Sequence, residues 1–514
     1  MFSRSSPSPR FALWAGLILI LMLALLLRFY DSGSEALWLD EGYSWWDARQ
    51  SWRHIWDMVP QCDPHPPLYV VVLKLWLMLF GDSSVALRAL GGAAGVLATA
   101  FVLLAGREIQ PRLGLWAGAF FAVMPFQVEF AHEARPYSLV ALGGAMLCFG
   151  VLRLFRQVRE GRAESRRVAW LSLILGLLLM LWTNNTAIFT ALALSLLLFP
   201  LCGRDPQLRP LWRPLLAAAV LVLLLWLPYV PTLLAQAQGV SSDFWIPRPD
   251  LWRLGNELRF VVGLGSFLIL WLVGALALVG VVQLRRLGRG NEAVLLAGLV
   301  VLPVLISFFV SRVATPVFLA RALIGIAPPF ALLVGAAFTV LVSRRLSVGL
   351  LGMLLLAQGL TILPLYTRHP RKEPWPDMAA TLVAAAAAEN GGRTLVLVVP
   401  NELTLPLAHA LGEHTAGLEL QGLPGNFPQP GLAARYPSGK CAPSLEGLDL
   451  SPVLEKARDF SRVVFITRSN NVYDPGNRMP ALLAQAGLRL ERQQQFSPGF
   501  FLIYQFAGPA AARP

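Results

Sequence analysis

Long apolar runs separated by short polar segments make up the chain as far as residue 366. A membrane-spanning helix needs about 20 predominantly apolar residues, and the pattern predicts about eleven such helices. They lie at Phe11–Phe29, Val85–Gly106, two positions between Leu113 and Leu152, and about 168–183, 185–202, 214–235, 263–284, 293–311, 320–342 and 346–366. The further run Pro66–Phe80 contains Lys74 and has only about fifteen residues, which is short for a span. We expect it to lie along the outer membrane surface as a juxtamembrane helix.

The pattern changes after residue 366. Short apolar runs at 394–400, 462–468 and 500–506 are typical of buried strands, and Pro376–Ala388 has a helical pattern. About 145 residues suffice for one small α/β domain. The sequence therefore predicts a membrane domain, 1–366, with an outer loop at 30–84, followed by a soluble α/β domain, 367–514. Acceptor recognition, a lid and scaffolding are all open as roles of the soluble domain.

Charge supplies the orientation. Only 14% of the 514 residues are charged, against about 25% in an average soluble domain. Basic residues gather in short cytoplasmic loops of membrane proteins. The clusters here are Arg107/Arg112, Arg153/Arg156/Arg159/Arg162/Arg166/Arg167, Arg204/Arg209/Arg213, Arg285/Arg286/Arg289 and Arg344/Arg345. With these and the N-terminus inside, loop 30–84, the break near 129–137 and the C-terminal domain face outward. The net charge of +13 thus reports topology and gives no support for nucleic-acid binding.

The four cysteines add little. Cys148 and Cys202 fall in or beside apolar helices, where cysteine serves as a packing residue. Cys62 and Cys441 both belong to segments predicted to face an oxidising compartment, which leaves a bridge between them open. No cysteine spacing is typical of a zinc ribbon or a haem site.

The acidic pair Asp40-Glu41, in LWLDEGYSWW, follows the first apolar helix directly. Ionisable groups at a membrane boundary are costly and are functional candidates for that reason. Either acid could instead cap or solvate a juxtamembrane helix. Two adjacent acids exceed what capping requires, so we expect a functional role for the pair.

Other polar residues fall at the same predicted outer boundary. They are Asp63, His65, Glu129, His132, Glu133, Arg135, Tyr137, Asn184, Asn185, Arg312 and Arg321. Some have simpler interpretations: Arg135 could snorkel from a helix end, and His65 could be a turn residue or a metal ligand. Glu129 and Glu133, four residues apart, share one helical face and could form a second acid site or pair with Arg135.

Carboxylates beside arginines suit the transfer of a sugar from a polyprenyl-phosphate donor. The sugar–phosphate bond is already activated, so the enzyme needs a general base for the acceptor hydroxyl and cations for the departing phosphate. Arginine suits the second task because its planar fork binds phosphate oxygens and stays charged. A nucleotide-sugar donor would be cytoplasmic, and the inner loops contain no DxD-type acidic site.

Several motifs, in this order, resemble those of the GT-C glycosyltransferases, in particular the protein-mannosyltransferase-like and aminoarabinose-transferase-like group. The matching stretches are LWLDEGYS, DPHPPLYVVVLKLWLMLFG, VALRALGG, HEARPYSLVAL and TPVFLARALIGIAPPFALL. The resemblance covers residues from about 36 to 340 and implies a GT-C fold that uses a polyprenyl-phosphate-linked sugar.

The resemblance also implies roles for individual residues. Asp40 would be the catalytic base, and Glu41 would orient the acceptor or a metal. Arg135 and Arg321 would contact the donor phosphate, and His65 matches the family's histidine in the HPPLY stretch. The chain departs from the family where Ala322 replaces the usual tyrosine after Arg321, and where it offers Glu129 and Glu133 in place of an aspartate. Metal use differs among such enzymes, so no cofactor is assigned and a divalent metal stays open.

The sequence therefore predicts a glycosyltransferase in a bacterial-type inner membrane, acting at its outer face on a protein, lipid or glycan acceptor. Asp63, Glu129, His132, Glu133 and Tyr137 would line its site. A transporter with an acid and arginine relay is the main alternative, although transporters often show two similar halves and this chain shows no internal repeat. A non-catalytic envelope-assembly scaffold is the third hypothesis.

Overall fold

The structure is a computed structural model that describes residues 9–162, 166–240, 246–263, 265–340, 344–368, 372–387, 393–429, 441–468, 473–498 and 500–508. The membrane part is helical throughout. Its helices are α1 (Pro9–Phe29), α2 (Leu39–Arg49), α3 (Trp52–Asp57), α4 (Val59–Cys62), α5 (Leu68–Phe80), α6 (Ser84–Ile109), α7 (Pro111–Ala122), α8 (Pro125–Ala131), α9 (Tyr137–Arg159), α10 (Arg167–Leu181), α11 (Ala187–Arg204), α12 (Trp212–Trp226), α13 (Val230–Val240), α14 (Leu251–Val261), α15 (Phe267–Arg286), α16 (Gly290–Val313), α17 (Ala327–Ala337) and α18 (Arg344–Thr367). Short 3₁₀ helices cover Arg209–Leu211, Leu227–Tyr229 and Ala320–Ile326.

Eight helical segments within the described ranges are long and apolar enough to cross a membrane, or nine if the bent pair α7 and α8 counts as one span. The eight are Ser84–Ile109, Tyr137–Arg159, Ala187–Arg204, Arg209–Gln238, Phe267–Arg286, Gly290–Val313, Ala320–Ala337 and Ser347–Thr367. Every segment predicted to span lies on a helix, which confirms the polytopic helical fold. The number supported is lower than the predicted eleven because Leu13–Phe29 of α1 and Arg167–Leu181 are shorter apolar helices.

Helix α9 occupies the centre of the bundle and sets the position of the outer loop that precedes it. An 18-residue stretch of α9 is 89% buried, and the helix packs mainly against α6 and α10. Where α9 crosses α10, a Cβ on Gly143 would come within 2.7 Å of the Gly176 carbonyl oxygen. Small residues of this kind let membrane helices approach backbone to backbone. The close crossing fixes Tyr137, the first residue of α9, within the core.

The loop between α1 and α6, which we call the outer loop after its predicted position, folds into the four short helices α2 to α5. Helix α5 buries Tyr69, Val70 and Leu73, while Met78 and Leu79 are exposed. The Lys74 ammonium donates hydrogen bonds to carbonyl oxygens at the end of α2, at 3.1 and 2.6 Å. Lys74, the charge that argued against a membrane span here, thus attaches α5 to the end of α2. Its position along the membrane surface stays a prediction.

The C-terminal part is a small α/β domain around one five-stranded sheet. Its elements are α19 (Trp375–Ala387), β1 (Thr394–Val399), a 3₁₀ helix (Asn401–Leu403), α20 (Thr404–Leu411), β2 (Leu418–Gly422), α21 (Ser451–Ala457), β3 (Arg462–Arg468), α22 (Arg478–Gln485), β4 (Arg489–Phe496) and β5 (Phe501–Ala507). The strand order is β2-β1-β3-β5-β4, in which β1 runs parallel to β2 and β3, and β5 runs antiparallel to β3 and β4. The three predicted strands and the predicted helix coincide with β1, β3, β5 and α19. Sequence reasoning missed β2 and β4.

The C-terminal domain packs directly on the outer loop. A disulfide joins Cys62 to Cys441, so the pairing that the sequence left open is formed, across a sequence separation of 379 residues. Helix α2 lies so close to α20 that a Cβ on Gly42 would meet Pro406 Cδ at 2.9 Å. The Tyr43 hydroxyl donates to the buried Glu402 carboxylate, which also accepts from Tyr473. The loop and the domain therefore form one packed unit above the membrane bundle.

Candidate catalytic site

The predicted site residues meet around a cavity of about 580 Å³ between the outer loop, the outer ends of the membrane helices and the C-terminal domain. Apolar residues contribute most of its wall, but charged residues line it as well, and we call it the polar cavity for that reason. Six residues selected from the sequence line it: Asp40, Asp63, His65, Arg135, Tyr137 and Arg321. Asn184 and Asn185, noted at the same predicted boundary, line it too.

Asp40 presents its carboxylate to this cavity from the first turn of α2. Its Oδ2 lies 3.1 Å from Arg321 Nη1, and the two side chains are 23% and 26% exposed. Its backbone carbonyl accepts a hydrogen bond from Arg135 Nη1 at 3.1 Å. One acid thus stands between two guanidinium groups in a polar pocket that solvent and ligand can reach.

Arg135, Asp63 and His65 form a buried cluster beside Asp40. Arg135 Nη1 donates to Asp63 Oδ2 at 3.3 Å, and Asp63 Oδ1 accepts from the His65 backbone N–H at 2.9 Å. The Asp63 Oδ1 also lies 2.6 Å from His65 Nδ1. Burial alone would raise the pKa of Asp63, but the Arg135 charge and the contacts with His65 together outweigh burial and hold that pKa well below its usual range. Asp63 is therefore a fixed negative charge that orients the arginine and the imidazole.

His65 takes its electrostatic character from burial. Burial lowers its pKa, against the opposing effect of Asp63, so the imidazole is neutral at neutral pH. Arg135 Nη2 lies 3.1 Å from His65 Nδ1. The short contact with Asp63 orients the proton on Nδ1 toward the carboxylate, which leaves Nε2 as the acceptor nitrogen.

The loop that carries these residues is held from the membrane side. Asn185 Nδ2 donates to the Pro64 carbonyl at 2.6 Å, and Gln236 Nε2 donates to the Asp63 carbonyl at 3.1 Å. Asn185 and Gln236 are themselves hydrogen-bonded at 2.8 Å. Asn185, just before α11, and Gln236, in α13, thus hold the backbone that carries Asp63 and His65. Sequence reasoning missed Gln236.

Tyr137 joins the arginine and histidine groups. It is buried, with the Arg321 guanidinium 5.9 Å from its ring centroid and the His65 ring at 5.9 Å in edge geometry. A cation near an aromatic face is attracted by the negative charge of that face. An aromatic side chain from the start of α9 thus supports Arg321.

Glu41 lies apart from this cavity. Its side chain is 1% exposed, and its carboxylate accepts from Arg88 Nε at 2.8 Å and Arg88 Nη2 at 2.7 Å. The Ala134 backbone N–H donates to it at 2.9 Å. Burial opposes ionisation, but the charge and hydrogen bonds of Arg88, the Lys372 charge and the Ala134 amide together outweigh burial and lower the pKa of Glu41 to about 2. Glu41 thus ties α2 to α6 and to the residue that precedes Arg135.

Three other predicted lining residues also lie outside the cavity wall. Glu133 is buried in an ion pair with Lys372, and burial raises its pKa. The His132 Nε2 lies 2.9 Å from the Leu27 carbonyl oxygen. Glu129 is exposed on α8. The structure does not bring the two glutamates to the cavity, and Glu133 pairs with a lysine from the C-terminal side in place of Arg135.

The cavity wall includes two charged residues that sequence reasoning missed, Glu373 and Arg468. They form an ion pair with each other. Neither carried a signal in the sequence, because Glu373 lies in a polar connector and Arg468 ends an ordinary strand. The equally overlooked Arg88 did carry one, since it is a lone charge within an apolar span.

Metal ligation was left open by the sequence. Within the residues that the structure describes, no three His, Cys, Asp or Glu side chains are grouped as metal ligands would be. Asp63 and His65 are adjacent, but their polar atoms face each other and Arg135. No ligand set is therefore assigned.

An apolar cavity of about 370 Å³ lies beside the polar one, between α10, α11 and α12. Its wall consists almost entirely of leucine, isoleucine, valine and alanine side chains. Ile188 at the start of α11 lines both cavities. The polar cavity and the apolar cavity thus share a wall at Ile188.

Comparison with known proteins identifies the fold. No protein-family model matches the chain, and a search of curated proteins also found no match. Among solved structures, ArnT from Cupriavidus metallidurans bound to undecaprenyl phosphate is similar at a TM-score of 0.61 and 16% identity, over 98% of this chain and 99% of that one. The apo state of that protein gives 0.62 and 15%, over 96% and 98%. The archaeal oligosaccharyltransferase AglB from Archaeoglobus fulgidus, in complex with an inhibitory peptide and a dolichol-phosphate, gives 0.53 and 12%, over 99% and 75%.

These likenesses confirm the GT-C fold that the sequence motifs predicted. They extend over nearly the whole chain, including the C-terminal domain. At these identities they concern the fold, so the function must be argued from the site itself.

Proposed function

We propose that the protein is a membrane glycosyltransferase that moves a sugar from a polyprenyl-phosphate donor to an acceptor hydroxyl, with Asp40 as the general base. The observation that carries the proposal is Asp40, whose carboxylate pairs with Arg321 and whose backbone carbonyl accepts from Arg135, in a cavity that adjoins an apolar one. A base, two phosphate-binding cations and a place for a lipid chain are what this reaction requires.

The chemical step uses these groups directly. Asp40 accepts the proton of the acceptor hydroxyl as its oxygen forms a bond to the anomeric carbon of the donor sugar. The bond between that carbon and the phosphate oxygen breaks, and its electron pair stays with the released polyprenyl phosphate. Arg321 and Arg135 bind this developing charge, for which preoriented donors are most effective. Asp63 holds Arg135 in place through the step with one carboxylate oxygen and orients the His65 imidazole with the other.

We assign Glu41 a positioning role. Its buried pair with Arg88 fixes α2, and its contact with the Ala134 amide places the backbone next to Arg135. Asp40 and Arg135 are thereby held in fixed positions relative to each other. Such rigid support is worth more to catalysis than an additional flexible group would be.

The donor fits the adjoining surfaces. The apolar cavity between α10, α11 and α12 meets the polar one at Ile188, which suits a lipid chain whose phosphate reaches the arginines. The similar ArnT structure holds undecaprenyl phosphate and the AglB structure holds a dolichol-phosphate. A polyprenyl phosphate is therefore the donor carrier that we propose, without assigning its sugar.

We place the reaction on the outer face of a bacterial-type inner membrane, with the N-terminus in the cytoplasm and residues 367–514 outside. The arginine-rich loops on the opposite side support this orientation. The disulfide between Cys62 and Cys441 supports it too, because such bridges persist in oxidising compartments.

The test is consumption of a labelled donor. Purified full-length protein in detergent would be incubated with a panel of radiolabelled undecaprenyl-phosphate sugars and with membranes from a strain that lacks it, as the source of acceptor. We expect at least one donor to lose its sugar to a new product and release undecaprenyl phosphate. A transporter, once reconstituted in proteoliposomes, would move the donor across the bilayer without cleaving it. A scaffold would leave the donor unchanged. Either result would overturn the proposal.

A further inference from the structure

The C-terminal sheet has a point at which its strand order reverses. Strand β1 is followed along the chain by β2 on one side, and the chain then returns to place β3 on the other side of β1. All three strands are parallel. In open α/β sheets, ligands bind outside the carboxyl ends of the strands at such a reversal. Here that place lies beyond Val399 of β1 and Arg468 of β3.

This end of the sheet faces the catalytic cavity. Arg468, the last residue of β3, is part of the cavity wall. Glu402, shortly after β1, accepts a hydrogen bond from Tyr43, and Tyr43 lines the same cavity. The place beyond β1 and β3, where a ligand of the soluble domain would bind, therefore opens into the polar cavity.

Among the residues that the structure describes, Arg468 has one ion-pair partner and one aromatic neighbour. Its Nη2 pairs with Glu373, and its guanidinium lies 5.2 Å from the ring centroid of Phe501. The side chain is 29% exposed. A guanidinium has five N–H donors in a fixed plane, and it binds phosphate and carboxylate groups through parallel pairs of them. One ion pair and one ring contact thus orient the fork without covering it.

Glu373 connects this arginine to the base. Its Oε2 accepts from the Leu39 backbone N–H at 2.8 Å and from the indole of Trp375 at 2.8 Å. Leu39 directly precedes Asp40. The contacts run from Arg321 through Asp40 and Leu39 to Glu373 and Arg468, so the base stands between a donor-side arginine and a domain-side arginine.

We propose that Arg468 binds an anionic group, a phosphate or a carboxylate, on the acceptor and so presents a neighbouring hydroxyl to Asp40. The inference rests on the proposed function and assigns the C-terminal domain to acceptor recognition. Arg321 and Arg135 serve the donor phosphate, whereas Arg468 enters from the soluble side, where an acceptor outside the bilayer would arrive.

A purely structural role for the pair is the competing explanation, since Arg468 and Glu373 also tie the domain to the outer loop. Kinetics separate the two. An acceptor-binding arginine affects the KM for acceptor and leaves donor hydrolysis by water unchanged, because water carries no anionic group. A structural arginine affects both reactions together.

The experiment uses purified full-length protein, an undecaprenyl-phosphate sugar that it consumes, and acceptor from membranes of a strain lacking the protein, separated by anion exchange. The variants are Arg468→Ala and Arg468→Lys. Arg462→Ala is the matched control, because Arg462 begins the same strand and pairs with Glu491 at its far end. Treatment of the retained fraction with alkaline phosphatase distinguishes a phosphate monoester from a carboxylate.

We expect acceptor activity in the fraction that the anion-exchange column retains. Arg468→Ala should raise the KM for that fraction roughly tenfold or more, the loss typical of a charge-assisted hydrogen bond, while donor hydrolysis stays unchanged. Arg468→Lys should recover part of the affinity, because it keeps the charge without the fork.

Acceptor activity in the unretained fraction would overturn this inference, and so would an unchanged KM in Arg468→Ala or an equal loss of donor hydrolysis. These results would leave the proposed function intact, since wild-type protein would still release undecaprenyl phosphate. Failure of wild-type protein to consume any donor would instead remove the proposed function and this inference with it.

Discussion

The buried pair of Glu41 and Arg88 offers a prediction that separates structural support from chemistry. The change is Glu41→Gln, which keeps the size of the side chain and one acceptor oxygen but removes the charge. Its partner Arg88 is 4% exposed, so the substitution leaves a buried cation without a counter-charge. Removing one member of a buried ion pair is strongly destabilising, at about 3–5 kcal/mol.

The magnitude follows from the pKa. A fall from the ordinary value of 4.5 to about 2 corresponds to about 3 kcal/mol of stabilisation by the ionised form. Because the pKa of Glu41 is lower in the folded protein, this stabilisation is fully present above pH 4.5 and is lost as the pH falls toward 2. The difference between wild type and Glu41→Gln should therefore be the same at pH 7.5 and pH 5.5.

Thermal unfolding of the detergent-solubilised protein, followed by tryptophan fluorescence, measures the effect. We expect Glu41→Gln to lower the unfolding temperature by roughly 5 °C or more. The control is Asp57→Asn, which breaks an exposed pair with Arg53 and should change stability by less than about 0.5 kcal/mol. Below its unfolding temperature, Glu41→Gln should still transfer sugar.

Two results would refute this reasoning. An unchanged unfolding temperature would mean that the pair does not hold α2 in place. Complete loss of transfer in a variant that remains folded would mean that Glu41 takes part in the reaction and that its assignment as a positioning residue is wrong.

Three further predictions concern the site and its attachment to the C-terminal domain. Arg135→Lys should lower kcat on the order of a hundredfold, because one ammonium cannot replace a fork that contacts Asp63 and the Asp40 carbonyl; a kcat near wild type would contradict this. Reduction should change the gel mobility of wild type but not of Cys62→Ala, which should also lose about 2–4 kcal/mol of stability. Equal mobility of reduced and unreduced wild type would rule the bridge out. Gly42→Leu should lower the unfolding temperature by separating α2 from α20, at about 1–3 kcal/mol, whereas Gly274→Ala, which meets nothing within 4 Å, should not.

The sequence was sufficient to predict the membrane helices and six of the residues that line the cavity, because both follow from local patterns. Apolar runs define the spans, and the order of the polar motifs places them at one end of the bundle. The division of labour within Asp40-Glu41 needed the structure. Successive helical residues point about 100° apart, so one carboxylate enters the cavity while the other enters the bundle toward Arg88.

Sequence reasoning missed β2 and β4 for a physical reason. Strands β2 and β4 form the two edges of the sheet, and their sequences LELQG and RLERQQQF are largely polar. An edge strand has fewer covering neighbours and needs no continuous apolar run, so hydrophobic periodicity does not reveal it. The inner strands β1 and β3 are buried on both faces, which is why they were predicted.

Of the contacts between the two domains, the sequence raised only the bridge between Cys62 and Cys441, and it left that bridge open. Glu373 accepts a hydrogen bond from the Leu39 amide, 334 residues away, and the disulfide spans 379 residues. Such pairings depend on how the folded domain rests on the outer loop, and no local pattern in the sequence encodes it. The domain that the sequence left without a role is thus the one to which the structure adds a residue of the site.

The central claim is that Asp40 removes the proton from the acceptor hydroxyl, and the rate of sugar transfer by Asp40→Asn tests it most directly. The assay would use purified protein, the undecaprenyl-phosphate sugar that wild type consumes, and saturating acceptor, with Asp57→Asn as the control for loss of an acid from the same loop. The account predicts a loss of roughly 10²–10⁴ in kcat for Asp40→Asn at unchanged unfolding temperature, and wild-type transfer by the control. Transfer by a folded Asp40→Asn at the wild-type rate would contradict the account.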